Sequence, residues 1–120
     1  MSPDRLAGKT VLIVEDDGIT RGAMKIVLEW EGYRVRCAAN GRQALDLLRD
    51  GEKPALILLD LVMPVLDGRG FRERQKASPE IADIPVLVIS GADGASLDVA
   101  GQVRKPFEPR ELLDAVWSLG

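Results

Sequence analysis

Four stretches of this sequence end in side chains that could do chemistry together. Glu15-Asp16-Asp17 follows the apolar run 10–14, Asp60 follows the run 55–59, Ser90 follows the run 85–89, and Arg104-Lys105-Pro106 closes a half-polar stretch at 102–104. Carboxylates packed a few ångströms apart repel and raise one another's pKa. A cluster that stays ionised therefore wants a divalent cation, and an all-oxygen donor set suits Mg²⁺ or Mn²⁺. The chain has no histidine, and Cys37 is its only cysteine. Serine–histidine–aspartate and cysteine–histidine catalysis, the HExxH metal helix and a phosphohistidine carrier are thereby excluded, as are disulfide scaffolds and thiolate zinc sites. Carboxylates, hydroxyls, lysine and a hard metal ion remain.

The intervening segments must position these groups. The runs at 10–14, 55–59 and 85–89 are apolar throughout and too short for helices, which fits strands buried on both faces. The stretch 34–38 alternates polar and apolar, and 102–104 is brief and half polar, so both read as edge strands. Between them lie helical patterns. Apolar residues at 19, 23, 26, 27 and 30 predict a first helix. Asn40 caps a second carrying Ala44, Leu45, Leu47 and Leu48 and closed by Gly51; a third runs over about 70–77; and Pro109 opens a last helix with Leu112, Leu113, Val116 and Trp117. Strand–helix alternation implies an α/β fold with a parallel sheet, right-handed crossovers and helices on both faces. Ligands of such sheets bind at the carboxyl edge, beside the point where strand order reverses, which is where each polar strand end falls.

At 120 residues the chain is expected to be a single domain (core about 9–119) with a real core. A net charge of −3, with 46% apolar and 29% charged residues, is that of an ordinary soluble globule and argues against nucleic acid as the main partner. No apolar run approaches the length of a membrane-spanning helix. The polar start predicts no secretory signal and a cytoplasmic home.

Val-Glu-Asp-Asp after the first strand, Asp60-Leu-Val-Met-Pro64 with Asp67-Gly68, Ser90-Gly91, and Lys105-Pro106-Phe107 together resemble the receiver domain of two-component response regulators. The resemblance covers nearly the whole chain and implies a flavodoxin-like (βα)5 doubly wound sheet of order 2-1-3-4-5. It further implies that Asp60 accepts a phosphoryl group from a phosphohistidine on a histidine kinase or histidine phosphotransfer protein. By the same resemblance Asp16 is the direct ligand of Mg²⁺ (or Mn²⁺), Glu15 holds the ion mainly through water, and the Val62 carbonyl is a further ligand. Lys105 pairs with the aspartate and then with a phosphoryl oxygen, Ser90 hydrogen-bonds the phosphoryl group on activation, and the Lys105–Pro106 bond is typically cis. Such a domain catalyses only its own phosphorylation and dephosphorylation and switches conformation to regulate a downstream protein. It is a monomer or weak dimer, standing alone or excised from a longer protein.

Three features depart from the family's pattern. Only fifteen positions lead from Ser90 to Lys105. That is roughly two helical turns fewer than the family's fourth helix needs, and the glycine-rich stretch 91–101 predicts a loop or one irregular turn. Gln102 stands where the family often has a switching aromatic, which puts conventional output in doubt. Val62 and Ala92, two residues beyond Asp60 and Ser90, are apolar where polar side chains can orient an attacking water, which predicts slow self-dephosphorylation.

Two rival functions stand beside this one. A Mg²⁺-dependent phosphohydrolase with an aspartyl nucleophile would want an acid where Val62 lies. A degenerate receiver would bind partners without phosphorylation. Elsewhere, Trp30, Trp117, Phe71 and Leu47 read as core, Arg69, Arg72, Arg74 and Lys76 as a solvated basic face, and Cys37 as a small buried hydrophobe, while Asp17, outside the matched pair, reads equally as a solvated turn former or a further acid of the site.

Overall fold

In a computed structural model, which describes residues 8–51, 53–91 and 97–119, every apolar run becomes a strand. The chain order is β1 (Thr10–Val14), α1 (Gly18–Trp30), β2 (Arg34–Ala38), α2 (Gly41–Arg49), β3 (Leu56–Leu59), α3 (Gly68–Lys76), β4 (Val86–Ser90), β5 (Gly101–Arg104) and α4 (Pro109–Leu119). The strands form one parallel sheet in the order β2-β1-β3-β4-β5. The order is the one the resemblance implies, and strand polarity marks its centre and its edges. β1, β3 and β4 are buried at every position, whereas β2 and β5 each keep a wet side and lie at the edges.

The two-residue period of the strands divides the core between the sheet's faces. Leu12, Val14, Ile57, Leu59, Val86 and Val88 meet Ala44, Leu45 and Leu48 of α2 and Phe71 of α3. Val11, Ile13, Leu56, Leu58, Leu87 and Ile89 meet Met24 and Leu28 of α1 and Leu112 and Val116 of α4. Each early helix is opened by a short polar side chain accepting from an orphan N–H. Asp17 accepts from the Thr20 amide at 3.0 Å, Asn40 from Gln43 at 2.9 Å and Asp67 from Gly70 at 2.8 Å. The Asp67 cap starts α3 at Gly68, ahead of the predicted 70–77. In α4, Pro109 occupies the first helical position, and Glu111 Oε1 reaches back to the Glu108 amide at 2.9 Å.

Several expectations change. α1 carries two apolar stripes, and the one that includes Ile19, Ile26 and Trp30 faces outward while Met24 and Leu28 face the sheet. Trp30 is therefore not core: it is 87% exposed. Trp117 is 38% exposed because Leu112 and Val116, not Trp117, point at the sheet. Phe71 is fully buried as expected, whereas Leu47 and Cys37 are only half-buried against the two clusters. Burial pushes the Cys37 thiol above its ordinary pKa.

The chain passes from β4 to β5 with no helix among the described residues between them, in line with the shortened connection. Leu97 and Val99 pack partly buried over the α2–α3 cluster. Two basic residues of α3 hold this segment, which corrects the reading of that face as merely solvated. Arg72 Nε donates to the Asp98 carbonyl at 2.8 Å, and Lys76 Nζ pairs with the Asp98 carboxylate at 3.0 Å. The Lys76 ammonium holds the Asp98 carboxyl below the usual carboxylate range. Gln102 is exposed on the edge strand. No helix among the described residues is long and apolar enough to cross a membrane.

Candidate functional site

β1 and β3 are neighbours at the reversal of strand order, with Val14 opposite Leu59, so Glu15 and Asp60 leave the sheet side by side. The Asp60 amide donates to the Val14 carbonyl at 3.0 Å, and that of Glu15 to Ala38 at 3.0 Å, which extends the ladder one step past the strands. Glu15 and Asp60 are 1% and 6% exposed, while Asp16 is exposed. One carboxylate oxygen from each of Glu15, Asp16 and Asp60 lies within 4.8 Å of the others, a group able to hold a metal ion. Carboxylate oxygens are the hard donor type that Mg²⁺ takes.

Lys105 follows the edge strand β5 at the same rim. A cis peptide joins it to Pro106, and its amide donates to the Ser90 carbonyl at 3.2 Å. Its Nζ stands 2.5 Å from Glu15 Oε1 and 3.5 Å from Asp60 Oδ2. Burial raises the Glu15 pKa, and hydrogen bonds from Lys105 and the Asp17 amide offset this only in part. Burial also works against the Lys105 ammonium, yet the bond to Glu15 and the fields of Glu15 and Asp60 outweigh it and hold its pKa above the ordinary lysine value. The site is thus a protonated lysine facing buried carboxylates.

Ser90 ends β4, next to β3, and is buried. The Val62 amide lies 3.4 Å from Asp60 Oδ1, and the residue is 68% exposed. Ala92 lies outside the described residues. The loop after Asp60 is shaped by two backbone features. A Cβ on Gly68 would stand 2.7 Å from Leu61 Cα and would also meet the Asp60 carbonyl, so only glycine lets α3 start against the site. Val65 adopts φ 70°, a conformation that β-branched residues rarely take.

The six residues singled out from sequence, Glu15, Asp16, Asp60, Val62, Ser90 and Lys105, all fall on this rim. Asp17 instead caps α1, and the Thr20 hydroxyl and amide hold its carboxyl below the usual range. Sequence reasoning missed Arg21, whose guanidinium donates to the Glu15 carbonyl at 2.7 Å. Its signal was available, as a cation in the first turn of the helix that follows the acids. An apolar groove of about 530 Å³ adjoins the site, running from Ile19 and Ala23 of α1 to Lys105, Phe107 and Leu112.

Comparison with known proteins agrees with this fold. The family model described as the response regulator receiver domain matches residues 11–117. The chain is 36% identical over 110 residues to response regulator MprA of Mycolicibacterium vanbaalenii, covering 86% of this chain and 46% of that protein. It is 34% identical over 115 residues to the phosphate regulon transcriptional regulatory protein PhoB of Pseudomonas aeruginosa, covering 90% of this chain and 50% of that one. The chain spans about half the length of these curated relatives. Among solved structures, chemotaxis response regulator CheY4 of Vibrio cholerae superposes with a TM-score of 0.87 at 26% identity, over 95% of this chain and 100% of that one. The receiver domain of sensor histidine kinase PA1611 of Pseudomonas aeruginosa, solved with a magnesium ion coordinated in its active-site cleft, superposes with a TM-score of 0.86 at 25% identity, over 94% and 98% of the two chains.

Proposed function

Since the chain belongs to the response regulator receiver family, we propose that it is a phosphoacceptor signalling domain in which Asp60 takes a phosphoryl group from a phosphohistidine partner. The carrying observation is that a buried Asp60 shares one small space with Glu15, Asp16 and the Lys105 ammonium.

The chemistry follows from that arrangement. Phosphoryl transfer has a loose, in-line transition state with charge spread over the equatorial oxygens, so positioning and charge neutralisation do most of the work. An Asp60 carboxylate oxygen attacks phosphorus, the nitrogen–phosphorus bond of the donor breaks, and the electron pair returns to the leaving imidazole. An ionised aspartate needs no general base, which suits a chain without histidine. Glu15, Asp16, Asp60 and the Val62 carbonyl would hold Mg²⁺ or Mn²⁺. When bound, the ion neutralises phosphoryl charge from one side. Lys105 neutralises it from the other, and the Ser90 hydroxyl donates to a phosphoryl oxygen once transfer is complete in this reading.

Residues 1–120 then form a cytoplasmic receiver unit, a monomer or weak dimer, that relays the phosphorylation state of a histidine kinase or phosphotransfer protein to a downstream protein. It is not an enzyme of separate substrates: Val62 stands two residues past Asp60, where an aspartyl phosphohydrolase would want an acid to protonate the leaving group. The exposed Gln102 favours one second reading, a phosphorylation-independent interaction module. Incubation with acetyl phosphate separates the two. The phosphoacceptor reading expects one acid-stable, base-labile phosphoryl group per chain, formed only with Mg²⁺ and absent from Asp60→Asn. Equal labelling of Asp60→Asn, or none of the wild type, would overturn it.

A further inference from the structure

Arg21 has no part in the mechanism above, yet it touches the backbone of two of the residues assigned to the cation. It lies in the first turn of α1 and is half-buried. Its Nη1 donates to the Glu15 carbonyl at 2.7 Å and approaches the Asp16 carbonyl at 3.4 Å. Its own amide donates to the Asp17 carbonyl at 2.8 Å. One residue therefore fastens three consecutive carbonyls of the junction between β1 and α1.

We propose that Arg21 is a positioning residue for the divalent-cation site: by pinning the carbonyls of Glu15 and Asp16 it orients the peptide planes from which both carboxylates project toward Asp60. This rests on the reading that Glu15, Asp16 and Asp60 hold the ion. Two effects of opposite sign meet at this side chain. A positive charge near the site repels a divalent cation, so removing it by charge alone would tighten binding. Loss of an orienting hydrogen bond to ligand-bearing residues loosens binding, commonly about 10- to 100-fold. Orientation prevails here. The guanidinium is part-exposed and its charge is screened by solvent and salt, whereas its bond to the Glu15 carbonyl is short and aimed.

Charge and orientation separate in a Mn²⁺ titration followed by the electron paramagnetic resonance signal of the free ion, with thermal melts of the metal-free chains alongside. Arg21→Met removes both effects. Arg21→Lys keeps the charge but not the fork. Arg110→Met removes one charge from an exposed α4 pair with Asp114, 3.6 Å long. The expected result is wild-type affinity in Arg110→Met, about tenfold weaker binding in Arg21→Met, intermediate binding in Arg21→Lys, and metal-free melting unchanged throughout. Binding by Arg21→Met as tight as or tighter than wild type would overturn the proposal. If Arg21→Met does not fold, Arg21→Lys decides: weaker binding than wild type supports the role and equal binding overturns it. A wild-type chain that binds no Mn²⁺ overturns the reading of the site itself, and the role of Arg21 with it.

Discussion

The Lys105 ammonium sits closer to Glu15, at 2.5 Å, than to the proposed phosphoacceptor Asp60, at 3.5 Å. A cation held by the ligand pair is one that a divalent ion must displace or share. Lys105 therefore has two opposed effects, competing with the metal in the resting domain and stabilising phosphoryl charge during transfer. Replacing it with alanine separates them. Lys105→Ala should bind Mg²⁺ or Mn²⁺ several-fold more tightly, since a facing positive charge is gone. It should accept phosphate from acetyl phosphate more slowly, on the order of 100-fold, the typical loss of one charge-stabilising donor. Metal titration and labelling kinetics on the same preparation check both signs, and weaker metal binding would contradict the competition.

The clamp from α3 to Asp98 predicts a pH dependence. The Asp98 carboxyl lies below its ordinary value of 3.8 in the folded chain because of Lys76. The native state thus releases this proton more readily than the unfolded chain does, and the stabilisation is present above the unfolded value and lost as pH falls through the native one. Urea unfolding should find Asp98→Asn slightly less stable than wild type at neutral pH, with the difference vanishing in acid. Arg72, which binds the Asp98 carbonyl rather than its carboxylate, should keep its contribution in both.

Val65 holds a positive φ in the loop that leaves Asp60. Left-handed backbone strain on a β-branched residue is of order 1–3 kcal/mol, against roughly 0.4–1 kcal/mol of extra unfolded-chain entropy for glycine. Val65→Gly should therefore raise stability by about 1 kcal/mol in urea unfolding. A loss of stability would show that the side chain of Val65, a residue 81% exposed, does more than strain the turn.

An exposed, apolar Val62 beside Asp60 offers nothing to orient a hydrolytic water. The phosphorylated domain should lose its phosphate slowly. Val62→Asn, which supplies a polar group at the same place, should speed that loss on the order of tenfold. Phosphate release from the purified, desalted protein in Mg²⁺ buffer measures both rates.

Much of this molecule is legible in its residues. Uninterrupted apolar runs marked β1, β3 and β4 as central, because a strand covered on both faces cannot alternate, and the polar residue after each run placed the rim. What escaped was orientation. α1 carries apolar stripes on two sides, and spacing alone does not say which one meets the sheet, so Trp30 was expected inside and lies outside. The start of α3 depended on the Asp67 cap and on a glycine, Gly68, whose missing Cβ makes room for Asp60 and Leu61. Arg72 and Lys76 read as ordinary helix-surface cations, and Arg21 went unremarked, because their partners, Asp98 and the Glu15 carbonyl, are brought to them only by the fold.

Direct identification of the phosphorylated atom is the sharpest test of the central claim. An acyl phosphate on an aspartate is reduced by borohydride to homoserine, whereas a serine phosphate is not. After acetyl phosphate treatment and reduction, peptide sequencing by mass spectrometry should find homoserine at position 60 in place of Asp60. Homoserine at position 16 or 17 instead, or an unreduced phosphate on Ser90, would contradict the account.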